Sequence, residues 1–324
     1  MTPQVISLLQ LLGGLVLLLI GGEALVRGAA RLAIRFGLSR LMVGMVIAGF
    51  GTSLPELVVC VDAVLAGAPG LAAGNVIGSN ISNILLIVAI SALIRPIDAA
   101  RRGLEPEGIV LLGVSVGIVL LGLQGTIPSW QGALMIAVLV ALVGLKFQQD
   151  RLADRRMRAT EAVVETVAPI PGRRWPMFGL VAIGFLALPV GADLLVRGAT
   201  HLAATMGVSD TLIGLTVVAV GTSLPELATS AVAAARGEST IGYGNIVGSN
   251  LFNLLGIFGV ATLVGEMRVA PVLVYVDGVV MIGATAVMLG LLASRARLGR
   301  GEATLMLCSY AAYITARYAY ALGA

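Results

Sequence analysis

Residues 44–57 read GMVIAGFGTSLPEL, and residues 214–227 read GLTVVAVGTSLPEL. The hexapeptide GTSLPE thus returns after 170 residues, each time carrying a glutamate into a stretch otherwise suited to lipid. A second block keeps the same offset: GNVIGSNISN at 74–83 returns as GNIVGSNLFN at 244–253. Nothing is inserted or deleted between the blocks, so the chain is a duplicated unit whose copies present the same polar atoms.

The composition around these blocks defines the class. Of 324 residues, 58% are hydrophobic and 12% charged, and the mean hydropathy is +1.01, whereas soluble domains carry about 25% charged residues. This is a polytopic membrane protein whose surroundings are a lipid bilayer. Crossing a core of about 30 Å takes about 20 apolar residues, and ten such runs fall near 5–33, 40–66, 70–94, 104–123, 127–147, 175–205, 210–235, 240–264, 270–293 and 302–321. Each copy then holds five spans. An odd number forces the second copy to enter the membrane from the opposite side, an arrangement typical of secondary transporters and not of enzymes. The expected fold is therefore an all-α membrane protein of ten transmembrane helices. Two inverted five-helix repeats, 1–147 and 175–324, are joined by a cytoplasmic linker over 148–174, with broken helices at a mid-membrane site.

The basic residues agree with that count. With the N-terminus outside, the inner loops collect Arg31, Arg35, Arg40, Arg95, Arg101, Arg102, the cluster from Lys146 to Arg174, Arg236, Arg295, Arg297 and Arg300. Such a bias sets both termini outside, in the inner (cell) membrane of a bacterium or archaeon. The net charge of +4 accordingly reports topology, and nucleic acid is excluded as a partner. Residues 1–22 contain no Lys or Arg and read as the first span, not as a secretory leader. Cys60 and Cys308 match no metal-ligand spacing and read as buried structural thiols.

The chemistry lies in what interrupts the helices. Pro55 and Pro225 each remove a backbone donor and clash with the preceding turn, which frees carbonyls around residues 49–52 and their counterparts. In lipid such carbonyls persist only where they line a cavity or are satisfied within the protein. Thr52, Ser53, Thr222 and Ser223 add hydroxyls beside them. An ionised carboxylate at mid-membrane costs about 2.5–3.5 kcal/mol on insertion scales, so Glu56 and Glu226 need a partner. The only lysine, Lys146, sits at the end of a span, which leaves a bound cation or proton.

The second block supplies more oxygen. Ser79 and Asn83 stand four apart, as do Ser249 and Asn253, so each pair shares a helix face. Asn80 and Asn250 are expected to support their neighbours and not to ligate. Gly74, Gly78, Gly244 and Gly248 either pack helices closely or line the site. All the donors are hard oxygens, and His201 lies far from them in sequence. The set excludes zinc- or copper-type sites and suits Ca2+, with Na+ able to use the same atoms.

Both blocks resemble the alpha-repeats of the cation/calcium antiporter superfamily, and the GTSLPE form is similar to its sodium/calcium exchanger branch, prokaryotic type. The resemblance covers nearly the whole chain. It implies a secondary active antiporter exchanging Na+ for Ca2+ by alternating access, expected as a monomer and without cofactor. By motif position it implies that Glu56, Thr52, Glu226 and Thr222 hold Ca2+. Ser53, Ser223, Ser79, Ser249 and the carbonyls of Gly49 and Ala219 would serve Na+, while Asn83 and Asn253 line the middle. The first and sixth helices would slide across the rest.

Departures leave alternatives open. Some relatives carry aspartate where Asn253 stands, so coupling to H+, or to K+, remains an alternative to Na+ alone, as does a passive channel or sensor built on the same cage. Ser82 stands where Phe252 predicts a bulky aromatic. A third repeated element, Glu23 with Arg27 and Asp193 with Arg197, places acid and base four apart on one face and reads as a structural or gating pair. Asp62 has no counterpart, since residue 232 is valine.

Overall fold

The computed structural model describes residues 3–98, 105–161, 175–206, 221–295 and 297–323. Among the described residues the regular structure is all helical apart from two short ribbons. Helix α1 spans Pro3–Phe36 and ends at Gly37, whose φ of 61° is a left-handed turn that glycine adopts without penalty. Leu38 N–H then caps the Ala33 carbonyl at 3.0 Å. The bent pair α2 (Arg40–Thr52) and α3 (Leu54–Leu65) follows, and then α4 (Pro69–Ile94), α5 (Glu105–Gly122) and α6 (Ser129–Glu161). The second half contains α7 (Trp175–Thr205), α8 (Leu224–Ala235), α9 (Ser239–Val264), α10 (Leu273–Ser294) and α11 (Arg300–Gly323).

Six of these are long and apolar enough to cross a membrane, and the bent pair makes a seventh. Of the segment expected at 210–235, residues 210–220, including Ala219, lie outside the described residues. Helix α6 continues past the apolar run, so the first part of the expected linker is helical; residues 146–161 contain neither proline nor glycine to stop it.

The repeated sequence produces repeated local structure. Ser53 (φ −88°, ψ 7°) and Ser223 (φ −86°, ψ 2°) leave helical geometry at the same place, and α2 and α3 meet at a bend of 44°. Proline occupies the first turn of α3 and of α8, where its missing N–H costs nothing. Gly67 and Gly237, with φ of 77° and 76°, close those two helices alike. Within α4 and α9 the helix loosens to π-type pairing over Asn83–Val88 and Phe252–Ile257, a bulge common at functional sites.

Helices α1 and α7 lie antiparallel along a seam of glycines seven residues apart: Gly14, Gly21 and Gly28 on one, Gly184, Gly191 and Gly198 on the other. A Cβ on Gly14 would stand 2.7 Å from the Gly191 carbonyl oxygen, and one on Gly184 would stand 2.7 Å from Leu25 Cβ. Their apolar core, with Leu18, Leu25, Leu32, Val181 and Leu188, also takes in Val43 and Ala48 of α2 and Ile241 of α9, and it is distinct from the larger core. Two antiparallel ribbons tie the halves together. Strand β1 (Ile97–Asp98) pairs with β4 (Arg297–Leu298), and β2 (Thr126–Ile127) pairs with β3 (Met267–Arg268).

Cys60 is buried as expected, whereas Cys308 is exposed on α11. The correction has a simple cause: Cys308 lies on the side of α11 that faces away from the core, a surface suited to lipid, and apolar sequence alone does not distinguish a lipid-facing residue from a buried one.

Candidate functional site

The two helix breaks meet inside the larger core. Glu56 and Glu226 open the first turns of α3 and α8, where the positive end of each helix dipole favours a carboxylate. Both are buried, with exposures of 1% and 0%. The halves are joined through this region: Ser53 Oγ donates to Glu226 Oε1 at 2.8 Å.

Around this bridge the second repeated block closes in. Thr52 Oγ1 lies 3.3 Å from Ser249 Oγ, and Ser249 Oγ donates to the Gly49 carbonyl at 3.2 Å. That carbonyl also accepts from Ser53 N–H at 3.3 Å, so it takes bonds from both halves. Asn83 Nδ2 donates to Asn250 Oδ1 at 2.9 Å across the halves, the supporting role expected of Asn250. Asn80 instead bonds its own helix at Val76 O, 2.7 Å away. Ser79 and Ser223 are buried, and Thr222 is partly so. Thus every expected site residue except Ala219 is placed, and Thr52, Ser53, Gly49, Glu226 and Ser249 form one connected cluster. Gly244 and Gly248 pack closely, with Cβ positions 2.5 Å from Leu41 O and 2.2 Å from Met45 O.

What remains unpaired is informative. Glu56 Oε2, Glu226 Oε2, Asn83 Oδ1, Asn253 Oδ1, Thr222 Oγ1 and Ser223 Oγ are buried without a hydrogen-bond partner among the described residues, as is Asn253 Nδ2. Buried polar atoms are normally paired, and leaving so many oxygens unpaired is costly unless a cation or ordered water takes them up. Lys146 does not reach them; it pairs with Glu107 at the end of α5.

Asn245 was missed by sequence reasoning. Fully buried, its Nδ2 donates to Ser230 Oγ at 2.9 Å and to the Glu226 carbonyl at 3.4 Å. This fixes its Oδ1 toward Thr52, whose hydroxyl donates to it at 3.3 Å. The signal was available, because Asn75 and Asn245 are the second residues of the repeated block. In the first half Asn75 meets Cys60 Sγ at 3.3 Å in place of a serine.

Comparison with known proteins adds to this geometry. A family model described as sodium/calcium exchanger protein matches residues 6–148 and again 176–319. The inner membrane protein YrbG of Escherichia coli is 34% identical, with 95% of each chain covered. Sodium/calcium exchanger MaX1 of Methanosarcina acetivorans is 28% identical over 95% of this chain and 97% of its own. A structure of the sodium-calcium exchanger NCX_Mj, soaked with 10 mM Na+ and 10 mM Sr2+, is similar with a TM-score of 0.82 at 29% identity, over 96% of this chain and 98% of that one.

Proposed function

The chain belongs to the sodium/calcium exchanger family, and on that premise we propose that it drives Ca2+ across the membrane against Na+ at one site built from both halves. It is a membrane-embedded cation/Ca2+ exchanger; the driving ion, the site and the transport cycle are what this reading adds. The observation that carries it is the meeting of the two GTSLPE segments, where Ser53 of one half bonds Glu226 of the other among unpaired buried oxygens. Two carboxylates balance the charge of one Ca2+, and oxygen-only donors suit it.

In this reading Glu56, Glu226, Thr52 and Thr222 ligate Ca2+. The hydroxyls of Ser53, Ser223, Ser79 and Ser249, with the carbonyls of Gly49 and Ala219, serve Na+, while Asn83 and Asn253 stand between them. The two carboxylates neutralise either one Ca2+ or the Na+ ions beside them but not both at once, so occupancy by Ca2+ and by Na+ is mutually exclusive, which is the requirement for exchange. An empty site leaves two buried carboxylates uncompensated, so the protein changes its facing only when loaded.

The inverted ten-span architecture, with halves 1–147 and 175–324, draws support from both ribbons. Exchanging the halves sends Ile97 to Met267 and Leu298 to Ile127, which turns one ribbon into the other. Each ribbon joins the loop after the third span of one half to the loop after the fourth span of the other. Those loops reach the same membrane face only if the halves have opposite orientations. The antiparallel course of α1 and α7 agrees, and their close glycine seam suits a pair that slides as a unit during alternating access. The excess of Arg and Lys in the loops of one face then puts both termini outside.

The test is Ca2+ uptake by the purified protein in liposomes loaded with Na+ and diluted into Na+-free medium. Uptake should stop when the Na+ gradient is collapsed. Uptake that ignores that gradient and disappears with a pH gradient would assign the driving role to H+ instead.

A further inference from the structure

Two ion pairs, each with a buried carboxylate and a partly exposed cation, stand in equivalent places in the two halves. On α10, Asp277 accepts from Tyr313 Oη at 2.8 Å and pairs with Arg317 Nε at 2.9 Å. On α5, Glu107 pairs with Lys146 of α6. Asp277 follows Glu107 by the repeat offset of 170, and Arg317 follows Lys146 by one residue more. The same extra residue separates Ile127 from its ribbon equivalent Leu298.

Between these pairs and the cation site the halves differ. On α11, Tyr310, Tyr313 and Arg317 are spaced i, i+3, i+7 and share a face, and Tyr310 faces Ser82, the residue before Asn83. The equivalent face of α6 bears Leu139, Leu142 and Lys146. There the place of Ser82 belongs to Phe252, which stacks edge-on against Phe50 with ring centroids 4.7 Å apart and covers Gly256 together with Leu139. The aromatic missing at Ser82 is thus replaced from another helix, and by one that carries a hydroxyl.

The polar face carries buried atoms without partners. Asp277 Oδ2 and Asn83 Oδ1 have no hydrogen-bond partner among the described residues, and Asp277, Ser82 and Asn83 are 2%, 4% and 1% exposed. Buried oxygens of this kind are usually satisfied by ordered water. From Tyr310 to Arg317 the helix rises about 10 Å, roughly a third of a bilayer core of about 30 Å. A short file of waters along the tyrosines would therefore span from Arg317 to the neighbourhood of Asn83.

We propose that Arg317, Asp277, Tyr313, Tyr310 and Ser82 line a water-filled side path that reaches the flank of the cation site from one membrane face only. Leu139, Leu142 and Phe252 seal the equivalent route from the other face. With both termini outside, the path opens outward. It solvates the Asn83 side of the site during the whole cycle, independently of the main access that α1 and α7 would gate, and it does not depend on which ion drives exchange.

Radiolytic hydroxyl-radical labelling of the full chain in lipid nanodiscs tests this, because the radicals form from water in place and mark tyrosines that contact it. Tyr310 and Tyr313 should be oxidised alongside the exposed Tyr275 and Tyr320. Oxidation of Tyr275 and Tyr320 with Tyr310 and Tyr313 unmodified would overturn the path. Tyr313→Leu, which copies Leu142 of the sealed half at a point between Arg317 and Tyr310, should abolish labelling of Tyr310 while Ca2+ exchange persists. Undiminished Tyr310 labelling in that variant would mean that water arrives by another route, and the path as drawn would be wrong.

Discussion

At the scale of single residues, the site depends on hydrogen bonds that aim oxygens as much as on the carboxylates themselves. Asn245 illustrates this. Its amide is held by Ser230 and the Glu226 carbonyl, so its oxygen takes the Thr52 proton and leaves the Thr52 lone pairs free for a cation. Asn245→Ala should raise the Ca2+ concentration for half-maximal exchange about tenfold, the scale of one lost hydrogen bond. Thr52→Ala should do the same, and the double variant should be no worse than either single. Additive losses in a flux titration would show that Asn245 acts through the fold and not through Thr52. The glutamates were legible in the sequence because a carboxylate in lipid demands a reason. Asn245 was not, because a neutral amide in a repeated glycine-rich block has an equally good packing explanation, and only the bonded geometry separates the two.

At the scale of elements, contact between helices rests on small residues in one place and on buried charge in another. The α1–α7 seam leaves no room at Gly14, whereas a Cβ on Gly13 meets nothing within 4 Å. Gly14→Leu should therefore cost about 1–3 kcal/mol by overpacking and lower the melting temperature in detergent, with Gly13→Leu near neutral. Equal effects would mean that the seam is not tightly packed. The α5–α6 pair behaves differently. Lys146→Met leaves Glu107 buried and unpaired, a loss of about 3–5 kcal/mol, and adding Glu107→Gln should recover much of it in the same melting assay. No recovery would show that the pair is not the source of the loss. These ion pairs were hidden from sequence comparison for a physical reason: the equivalents are Glu107 and Asp277, Lys146 and Arg317, chemically alike but not identical. A one-residue difference in the loop before α11 also shifts the second member out of the constant offset.

At the scale of the whole molecule, duplication supplies a site that neither half has alone. The GTSLPE segments told from sequence that two glutamates enter the membrane, and odd span counting told that they enter from opposite faces. Sequence left open whether they meet. The bridge from Ser53 to Glu226 and the cross-half contact from Asn83 to Asn250 support a shared site, and the ribbons support the inversion that a shared site requires. The halves are nevertheless unequal, with Asn75 set against Cys60 where Asn245 meets Ser230. Binding of labelled Ca2+ to the purified protein in Na+-free buffer tests the shared site most directly. One Ca2+ should bind per chain, and Glu56→Gln and Glu226→Gln should each abolish that binding completely. Retention of binding in either variant, or a stoichiometry of two in the wild type, would contradict a single site built from both halves.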